Sequence, residues 1–382
     1  MKVYLKDLKS KKEALKVVKD IGVDKAVSSL LAEKLRFRVF KIVGVSSPAA
    51  TIIKQIAISR GTDAAVNRKV IVNGVIQSDV LIPGSVRELK LIARELKKQS
   101  FGLREVGMEI IRLLREKDKK RNFKIMGVLN ITPDSFSDGG EYFSASNARE
   151  RFDEIIEDGA DIIDVGAESS RPNAESIDKD EELRRLNYVL PLFENCSIPV
   201  SIDTCKSEVA KKALSSGARI LNDISALRMD TKMVNVAKDY NSFVILMHMK
   251  GTPKTMQDNP YYDNVIKEIF DFFDERIEFC LSNNISEDKI ILDPGIGFGK
   301  RQIDNLTILN NLEELTSLGF PVLIGASRKS FIGNITGKPP KERLSGSIAV
   351  LIHSYLHGVN MFRVHDVKET KDALDVINSL EN

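Results

Sequence analysis

The sequence lacks any apolar run long enough to cross a bilayer, and it lacks any tract biased toward one residue type. A membrane-spanning helix needs about 20 consecutive, mostly apolar residues. Here 29% of the 382 residues are charged, and the charges are spread along the chain. The first ten residues also lack the apolar core of a secretory signal. We therefore expect a globular protein with no membrane partner and no secretory leader.

Cysteine is scarce and shows no paired spacing. The three cysteines are Cys196, Cys205 and Cys280; they lie far apart, and no two of them form a CxxC motif. Isolated thiols of this kind are typical of a reducing compartment. We expect reduced cysteines in a cytoplasmic protein.

Net charge is small overall but unevenly distributed. The formal charge is +3, yet residues 1–122 hold 28 Lys and Arg against 13 Asp and Glu, and the remaining residues hold 29 against 41. A basic segment can bind nucleic acid, but these cations are dispersed among apolar residues rather than clustered with aromatic ones. We favour a solvated lysine-rich surface, or a basic face packed on an acidic neighbour, and do not expect a nucleic-acid partner.

Residues 123–382 alternate between strand-like and helix-like patterns after a charged stretch at 115–121. Apolar, strand-like segments lie at 123–130, 160–167, 199–204, 219–225, 242–248, 289–293, 321–326 and 360–365. Amphipathic segments with three- and four-residue spacing lie between them, including 146–158, 180–193, 206–215, 263–282 and 341–357. Short, nearly all-apolar strands are typical of parallel sheets covered on both faces.

Strand–helix units repeated eight times within roughly 250 residues predict an α/β fold, a closed (β/α)8 TIM barrel. An open doubly wound sheet is the alternative. Residues 1–122 predict an additional N-terminal α+β domain, with helical patterns at 9–34, 48–59 and 86–116 and strand patterns at 37–45 and 68–82. Asn73-Gly74 lies between two apolar runs and predicts a hairpin. This part shows no nucleotide or metal motif, so its role stays open.

Polar or ionisable residues follow nearly all the predicted barrel strands at their C-terminal ends. They are Asn130, Asp164, Glu168, Asp203, Asn222, Asp223, His248, Asp293, the SRKS stretch at 327–330, Arg363 and His365. A single Asp or Asn at such a position commonly caps a turn or helix. In a barrel, however, all the strand ends meet at one mouth, where catalysis takes place. The sequence therefore predicts an active site at that mouth.

Ordered motifs at these positions resemble the dihydropteroate synthase family over about residues 123–380. They lie at 126–140 (MGVLNITPDSFSDGG), 168–172 (ESSRP), 201–204 (SIDT), 222–223 (ND), 293–300 (DPGIGFGK), 327–331 (SRKSF) and 363–367 (RVHDV). The resemblance implies a transferase with small-molecule substrates. The reaction it implies is Mg²⁺-dependent condensation of 7,8-dihydropterin-6-ylmethyl diphosphate with 4-aminobenzoate, releasing pyrophosphate. It also implies a homodimer.

The resemblance assigns roles to individual residues. Pterin contacts fall on Asp203, Asn222, Asp293, Gly325 and Lys329. Diphosphate contacts fall on Asn130, Arg171, Arg363 and His365, and Asn130 is also expected at the Mg²⁺ site. Contacts with 4-aminobenzoate fall on Ser170, Phe298 and Ser330. The catalytic set comprises Asp134, Asp138, Lys329, Arg363 and His365.

These assignments agree with what the substrates need. A pterin edge presents N–H donors and an oxo acceptor, which require buried acceptors and donors. Diphosphate oxygens suit guanidinium groups and Mg²⁺. We hypothesise that loop 132–140 closes over the site and brings Asp134 or Asp138 near the positive charge that develops as pyrophosphate leaves. His248 receives no chemical role.

One position departs from the family pattern. Ser170 stands where the family usually has threonine, so we expect its hydrogen bonding to survive and its packing on the arylamine to loosen.

Two other functions compete with the synthase reaction. A methyltetrahydrofolate-dependent methyltransferase also holds a pterin at strand ends, but it does not need loop 132–140 or the Arg363 and His365 pair. A non-enzymatic scaffold barrel would not need the full set of polar strand ends.

Overall fold

A computed structural model of this chain describes residues 1–8, 10–72, 74–116, 122–132, 145–169 and 176–381. The chain divides into two units, Met1–Lys120 and Arg121–Asn382. Each unit has a large hydrophobic core of its own. Within the described ranges, no helix is both long enough and apolar enough to span a membrane.

The first unit combines helices with a two-stranded antiparallel sheet. Its elements are α1 (Lys11–Asp20), α2 (Lys25–Lys34), β1 (Phe37–Ser46), α3 (Ser47–Ser59), β2 (Gln77–Ser85), α4 (Val86–Leu96) and α5 (Leu103–Glu116). Phe37 lies opposite Ser85, and Ser46 lies opposite Gln77. Each strand leads directly into a helix because a serine side chain at the junction, Ser46 or Ser85, caps the first helical turn.

The hairpin predicted at Asn73-Gly74 is wrong. Asn73 lies outside the described residues, but residues 69–72 form turns rather than a strand. β2 pairs instead with the distant β1, and this pairing places Val80 and Ile82 in the core with no exposed surface. The burial gained by the long-range pairing therefore outweighs the local turn signal.

Two segments predicted as single helical stretches each contain two helices. The 9–34 segment is interrupted between α1 and α2, where Gly22 has φ +85°. The 86–116 segment is interrupted between α4 and α5, where Phe101 and Gly102 have φ values of 60° and 74°. A left-handed backbone of this kind ends a right-handed helix.

The second unit alternates strands with helices. Its strands are β3 (Lys124–Asn130), β4 (Ile162–Gly166), β5 (Val200–Asp203), β6 (Ile220–Asp223), β7 (Phe243–Met247), β8 (Ile290–Asp293), β9 (Leu323–Ile324) and β10 (Met361–Val364). Its α-helices are α6 (Ala145–Glu157), α7 (Lys179–Leu186), α8 (Leu190–Phe193), α9 (Ser207–Ser215), α10 (Met233–Asp239), α11 (Val265–Ser282), α12 (Gln302–Asn310), α13 (Leu312–Thr316), α14 (Ser330–Thr336), α15 (Leu344–Leu356) and α16 (Val367–Glu381). Short 3-10 helices cover Glu287–Lys289 and Pro340–Glu342.

The eight strands form one parallel sheet in the order β8-β7-β6-β5-β4-β3-β10-β9. A parallel bridge between Leu292 and Val322 brings the two ends of this order together, and the Leu292 N–H donates to the Pro321 carbonyl at 2.9 Å. The sheet is therefore a closed barrel, and the predicted α/β TIM barrel is confirmed. The doubly wound alternative is excluded.

The barrel contains an apolar cluster that is separate from the core between the strands and the helices. Most of the barrel strands contribute a residue to it. Its members are Met126, Ile162, Ile220, Ile245, Ile291, Leu323 and Met361. All are buried, so the barrel has a packed interior that holds the strands in register. The polar residues that end the strands are fixed by the same register.

We predict that Gly107→Ala destabilises the first unit. A Cβ at this position of α5 would lie 2.5 Å from the Ala93 carbonyl oxygen of α4, so the two helices must separate. Overpacking of this kind costs about 1–3 kcal/mol, more than the roughly 1 kcal/mol that alanine adds to helix propensity. Hydrogen–deuterium exchange should show faster exchange of the α5 amides in the variant.

Arg104→Ala is the matched control, because Arg104 is exposed on the same helix and its removal should leave exchange nearly unchanged. Slower exchange of the α5 amides in Gly107→Ala than in the parent protein would show that the close contact between α4 and α5 does not limit the stability of the first unit.

Candidate active site

The register of the parallel strands brings predicted pterin residues to one level of the barrel. Asp203 ends β5 and lies opposite Asn222 of β6 on one side and Gly166 of β4 on the other. Gly166 in turn lies opposite Asn130, which ends β3. Asp293 ends β8, and both it and Asn222 are buried. Four of the predicted site residues are thus positioned by regular strands rather than by loops.

A single guanidinium joins the carboxylates of two acids, the buried Asp164 and the partly buried Asp203, across the mouth. Arg363 of β10 donates from Nε to Asp164 Oδ2 at 2.6 Å and from Nη2 to Asp203 Oδ2 at 2.8 Å. Asn222 Nδ2 donates to the same Asp164 oxygen at 3.1 Å. Hydrogen bonds to charged groups are the strong ones, so β4, β5, β6 and β10 are tied together through side chains at the site.

Asp164 is the central residue that sequence reasoning left without a role. It is fully buried and receives hydrogen bonds from both Arg363 and Asn222. The signal that could have found it is an acid inside the apolar stretch of β4. A carboxylate there must be paired, because burying an unpaired charge is very unfavourable.

Burial brings the pKa values of Asp203, Asp293 and Lys329 closer to neutral pH than the ordinary values of these side chains. Burial, opposed by Arg363, raises the pKa of Asp203 to about 7. Burial also raises the pKa of Asp293, although the Gly295 N–H donates to Asp293 Oδ1 at 2.7 Å and opposes the rise. Burial together with Arg363 lowers the pKa of Lys329 to about 8. Perturbed values of this kind are typical of functional sites.

Lys329 and Phe298 form a cation–aromatic pair at the rim. The Lys329 Nζ lies 3.9 Å from the centre of the Phe298 ring. A side chain at Gly297, whose φ is +82°, would come within 3.3 Å of Lys329 Cδ. A Cβ at Gly325, just after β9, would lie 3.7 Å from Arg363 Cβ. The structure therefore brings the predicted residues Lys329, Phe298, Gly325 and Arg363 together.

A buried lysine anchors the loop that carries Phe298. Lys300 Nζ donates to the Phe298 carbonyl at 3.0 Å and to the His248 carbonyl at 3.1 Å, and it lies 3.0 Å from His248 Nδ1. Burial lowers the pKa of Lys300 to about 7, and burial with Lys300 nearby lowers the pKa of His248 to about 2. A neutral His248 can accept the lysine's hydrogen bond, and this contact joins the loop of His248 to the loop of Phe298.

The predicted residues of the β9 and β10 loops occupy different environments. His365 Nδ1 lies 3.1 Å from Ser327 Oγ, and burial with Arg363 nearby lowers the pKa of His365 to about 4. Ser330 begins α14 and is exposed. The hydrogen bonds of the Arg363 side chain go to the two carboxylates already named, so its contact with diphosphate stays a prediction.

Four predicted site residues, Asp134, Asp138, Ser170 and Arg171, lie outside the described residues. Among the residues that are described, no group of three or more His, Cys, Asp and Glu side chains could hold a metal ion. Asn130, predicted at the Mg²⁺ site, is half-buried at the end of β3. One amide oxygen fits a Mg²⁺ ion that takes most of its ligands from water and substrate oxygens.

Comparison with known proteins agrees with this geometry. A family model described as "Pterin binding enzyme" matches residues 126–365. The dihydropteroate synthase of Synechocystis sp. is 43% identical over 263 residues, which are 68% of this chain and 91% of that protein. This chain belongs to the dihydropteroate synthase family. It is therefore an enzyme, a pterin-binding transferase.

Two further family members bear on particular parts of the chain. The Xanthomonas albilineans dihydropteroate synthase, solved with 4-aminobenzoic acid, is 40% identical, with a TM-score of 0.64 over 68% of this chain and 93% of that one. The bifunctional dihydropteroate synthase/dihydropteroate reductase of Helicobacter pylori is 36% identical over 374 residues, 97% of each chain. The match to the Helicobacter pylori protein is long enough to include Met1–Lys120. The match to the Xanthomonas albilineans structure covers 68% of this chain, which is too short to include both units.

We predict that the affinity for a dihydropterin increases as the pH increases through 7. The ordinary pKa of Asp203 is 3.8 and its folded value is about 7, so the acid is mostly protonated below that pH. Only the ionised carboxylate accepts two N–H donors. Calorimetric titration should show binding on the order of 10-fold tighter at about pH 7.5 than at about pH 5.5.

In Asp203→Asn, binding should be weaker and should lose most of this pH dependence. The same slope in the parent protein and in Asp203→Asn would exclude Asp203 as the titrating group.

Proposed function

We propose that this chain condenses 7,8-dihydropterin-6-ylmethyl diphosphate with 4-aminobenzoate and releases pyrophosphate, with Mg²⁺ required. The observation that carries the proposal is the polar cluster at the barrel mouth, in which Arg363 donates to Asp164 and Asp203, and Asn222 donates to Asp164. The carboxylates of this cluster are hydrogen-bond acceptors. They match the N–H edge of a pterin.

The reaction replaces one bond at the pterin methylene. The carbon–oxygen bond to the diphosphate breaks, the nitrogen of 4-aminobenzoate bonds to the same carbon, and the nitrogen then loses a proton. An arylamine is neutral at pH 7, so no strong base is needed. Positive charge on the methylene would be stabilised by nearby carboxylates. We assign this part to Asp134 or Asp138, both of which lie outside the described residues.

In the proposed complex, diphosphate oxygens and water would supply most of the Mg²⁺ ligands. Asn130 is the candidate protein ligand, and Mg²⁺ when bound would neutralise the diphosphate oxygens and favour its departure. Arg171, Arg363 and His365 complete the proposed diphosphate set. His365 is neutral at pH 7 because its pKa is lowered to about 4, so it would act as a hydrogen-bonding group and not as a cation.

The arylamine is proposed to lie on the Phe298 side of the mouth. Phe298 offers an aromatic face beside Lys329, and Ser330 lies at the first position of α14. Ser170 is the third proposed contact. A carboxylate at Ser330 would receive hydroxyl and backbone N–H donors.

We predict that the purified protein releases pyrophosphate only when the pterin diphosphate, 4-aminobenzoate and Mg²⁺ are all present. Chelation of Mg²⁺ should abolish release, and added Mg²⁺ should restore it.

Asn222→Leu should lower kcat/KM by about 10-fold or more, because it removes a proposed pterin contact and leaves Asp164 without one of its hydrogen-bond donors. A continuous pyrophosphate assay measures both effects.

Asn235→Leu is the control for that variant, because Asn235 is exposed on α10 and its activity should match the parent. Pyrophosphate release without an arylamine would indicate hydrolysis, and release that is insensitive to chelation would exclude the Mg²⁺ requirement.

We propose a second activity for the whole chain, reduction of the dihydropteroate product. The observation that favours it is the match to the bifunctional Helicobacter pylori protein, which extends over 374 residues and thus through Met1–Lys120. Reduction would add a hydride to C6 and a proton to N5 of the pterin ring. The hydride must come from a reduced nicotinamide or flavin, for which the sequence shows no recognised binding motif.

We predict that the full chain, given 7,8-dihydropteroate and a reduced nicotinamide or flavin, yields a product two hydrogens heavier, detectable by mass spectrometry. The Synechocystis synthase is the matched control, since its match covers only 68% of this chain. Equal product from both proteins, or none from this one with either donor, would exclude a reductase role for the N-terminal unit.

A further inference from the structure

We propose that Arg328 is a positioning residue for the arylamine substrate, because its ion pair with Asp366 fixes the loop that carries Lys329 and Ser330. The proposal rests on the synthase function proposed above, in which the arylamine lies on the Phe298 side of the mouth and Ser330 receives its carboxylate. Lys329 contacts the Phe298 ring, and Arg328 directly precedes Lys329 in the chain. The residues that hold Arg328 in place are all described.

The backbone of Arg328 has a conformation that side-chain-bearing residues rarely adopt. Its φ is +58°, in the left-handed region that favours glycine. Strain of this kind persists only where the surrounding contacts hold it. Because Lys329 follows directly, the direction of the chain at Arg328 decides where the Lys329 side chain points.

Two contacts from outside the loop hold the peptide groups of Arg328. Its N–H donates to Ser347 Oγ of α15 at 2.9 Å, and its carbonyl accepts Arg343 Nη1 at 3.0 Å. The Arg343 guanidinium also occupies the space that a side chain at Gly333 of α14 would need. The turn is therefore attached both to α15 and to the helix that Ser330 begins.

The Arg328 side chain contacts the loop that follows the neighbouring strand. Its guanidinium meets both oxygens of the Asp366 carboxylate: Nε donates to Oδ2 at 3.1 Å, and Nη2 donates to Oδ1. Asp366 lies two residues beyond β10 and directly before α16, and its side chain is partly buried. A planar guanidinium that meets both carboxylate oxygens fixes direction as well as distance. The loop after β9 is thereby attached to the loop after β10.

A second contact joins the same two loops. The His365 N–H donates to Ser327 Oγ at 3.3 Å, and His365 Nδ1 lies 3.1 Å from the same oxygen. Two consecutive residues of one loop, Ser327 and Arg328, therefore contact two consecutive residues of the other, His365 and Asp366. The pair of contacts sets the position of the β9 loop relative to β10, the strand of Arg363.

Arg328 acts through the loop and not on the reacting atoms. Its guanidinium is directed at Asp366, so it is not placed as a ligand for a substrate anion. The proposed pterin acceptors Asp203, Asn222 and Asp293 end or lie in β5, β6 and β8, and their positions should depend much less on this loop. Loss of the ion pair should therefore affect the arylamine more than the pterin ring.

The test compares Arg328→Met with Asp366→Asn, because each removes one side of the ion pair and keeps a similar shape. A continuous pyrophosphate assay gives kcat/KM for 4-aminobenzoate and for 4-aminobenzamide, in which a neutral amide replaces the carboxylate. Asp375→Asn is the matched control, because Asp375 also forms an ion pair, with Lys371 on α16 at 3.0 Å, but is exposed.

In the parent protein, the preference for 4-aminobenzoate over 4-aminobenzamide measures the contact with the carboxylate. Arg328→Met and Asp366→Asn should both decrease this preference, on the order of 10-fold, through an increased KM for 4-aminobenzoate. The double variant should lose no more than the worse single variant, because both changes break the same contact. Asp375→Asn should match the parent.

Opposite effects of the two single variants would overturn the proposal. Residues that acted only through their charge would lower the preference when Arg328 is replaced and raise it when Asp366 is replaced, because the substrate carboxylate is negative. Equal losses with both arylamines would indicate a general structural role and would also overturn it. The same holds for unchanged preferences, and for a double variant whose loss is the product of the two single losses.

Arg328→Lys keeps the charge but not the contact with both carboxylate oxygens. It should show a smaller loss than Arg328→Met, and it takes the place of that variant if Arg328→Met does not fold. A parent protein with no preference between the two arylamines would overturn the proposal as well. Absence of pyrophosphate release in the parent with either arylamine would instead overturn the proposed function.

Discussion

The contact on which the site depends is the bridge from Arg363 to Asp164 and Asp203. These two acids lie on adjacent strands, with Asp164 fully buried and Asp203 partly buried. Without a cation between them, the two carboxylates would repel each other, and proton uptake by at least one of them would be favoured. Arg363 comes from β10, which pairs with β3 and β9 and not with β4 or β5, so its side chain links strands that the backbone leaves apart.

The loops around this bridge are fixed by amines of unusual acidity. Lys300, with its pKa lowered to about 7, holds two carbonyls and a neutral histidine. An amine close to neutrality can be buried with carbonyl partners at a smaller desolvation penalty than a permanent cation. The loop with Phe298 and the loop with His248 are thereby joined by one side chain. Glu168, two residues beyond β4, is held differently, by an ion pair with Lys206.

Sequence patterns predicted the barrel well because its signals are local. The strands are short apolar runs, several of which end in a polar residue, as β5 and β8 do, and parallel strands place all these ends at one mouth. The hairpin at Asn73-Gly74 failed for the opposite reason. The two-residue turn signal there is local, but the pairing of β2 is decided by burial against β1, more than 30 positions away for most of its residues.

Local sequence patterns also could not predict which residues the site residues contact. Asp203, Asn222 and Asp293 could be assigned by family resemblance, but the role of Asp164 depends on Asn222 and Arg363, which lie 58 and 199 positions away. Arg328 and Asp366 look like ordinary loop charges in the sequence, 38 positions apart. Only the fold shows that they form an ion pair.

The pKa shifts also bear on how an acidic barrel would accept the proposed diphosphate substrate. Residues 123–382 carry 41 acidic against 29 basic side chains, a balance that by itself would repel a diphosphate. At the mouth, burial raises the pKa of Asp203 to about 7 and raises that of Asp293, so the local negative charge is smaller than the residue types suggest. Arg363 keeps its charge under all these conditions, because its pKa is raised further by Asp164 and Asp203. Protonation of these acids would leave the mouth less repulsive to the proposed diphosphate, whereas their ionised forms would be the better acceptors for pterin N–H groups.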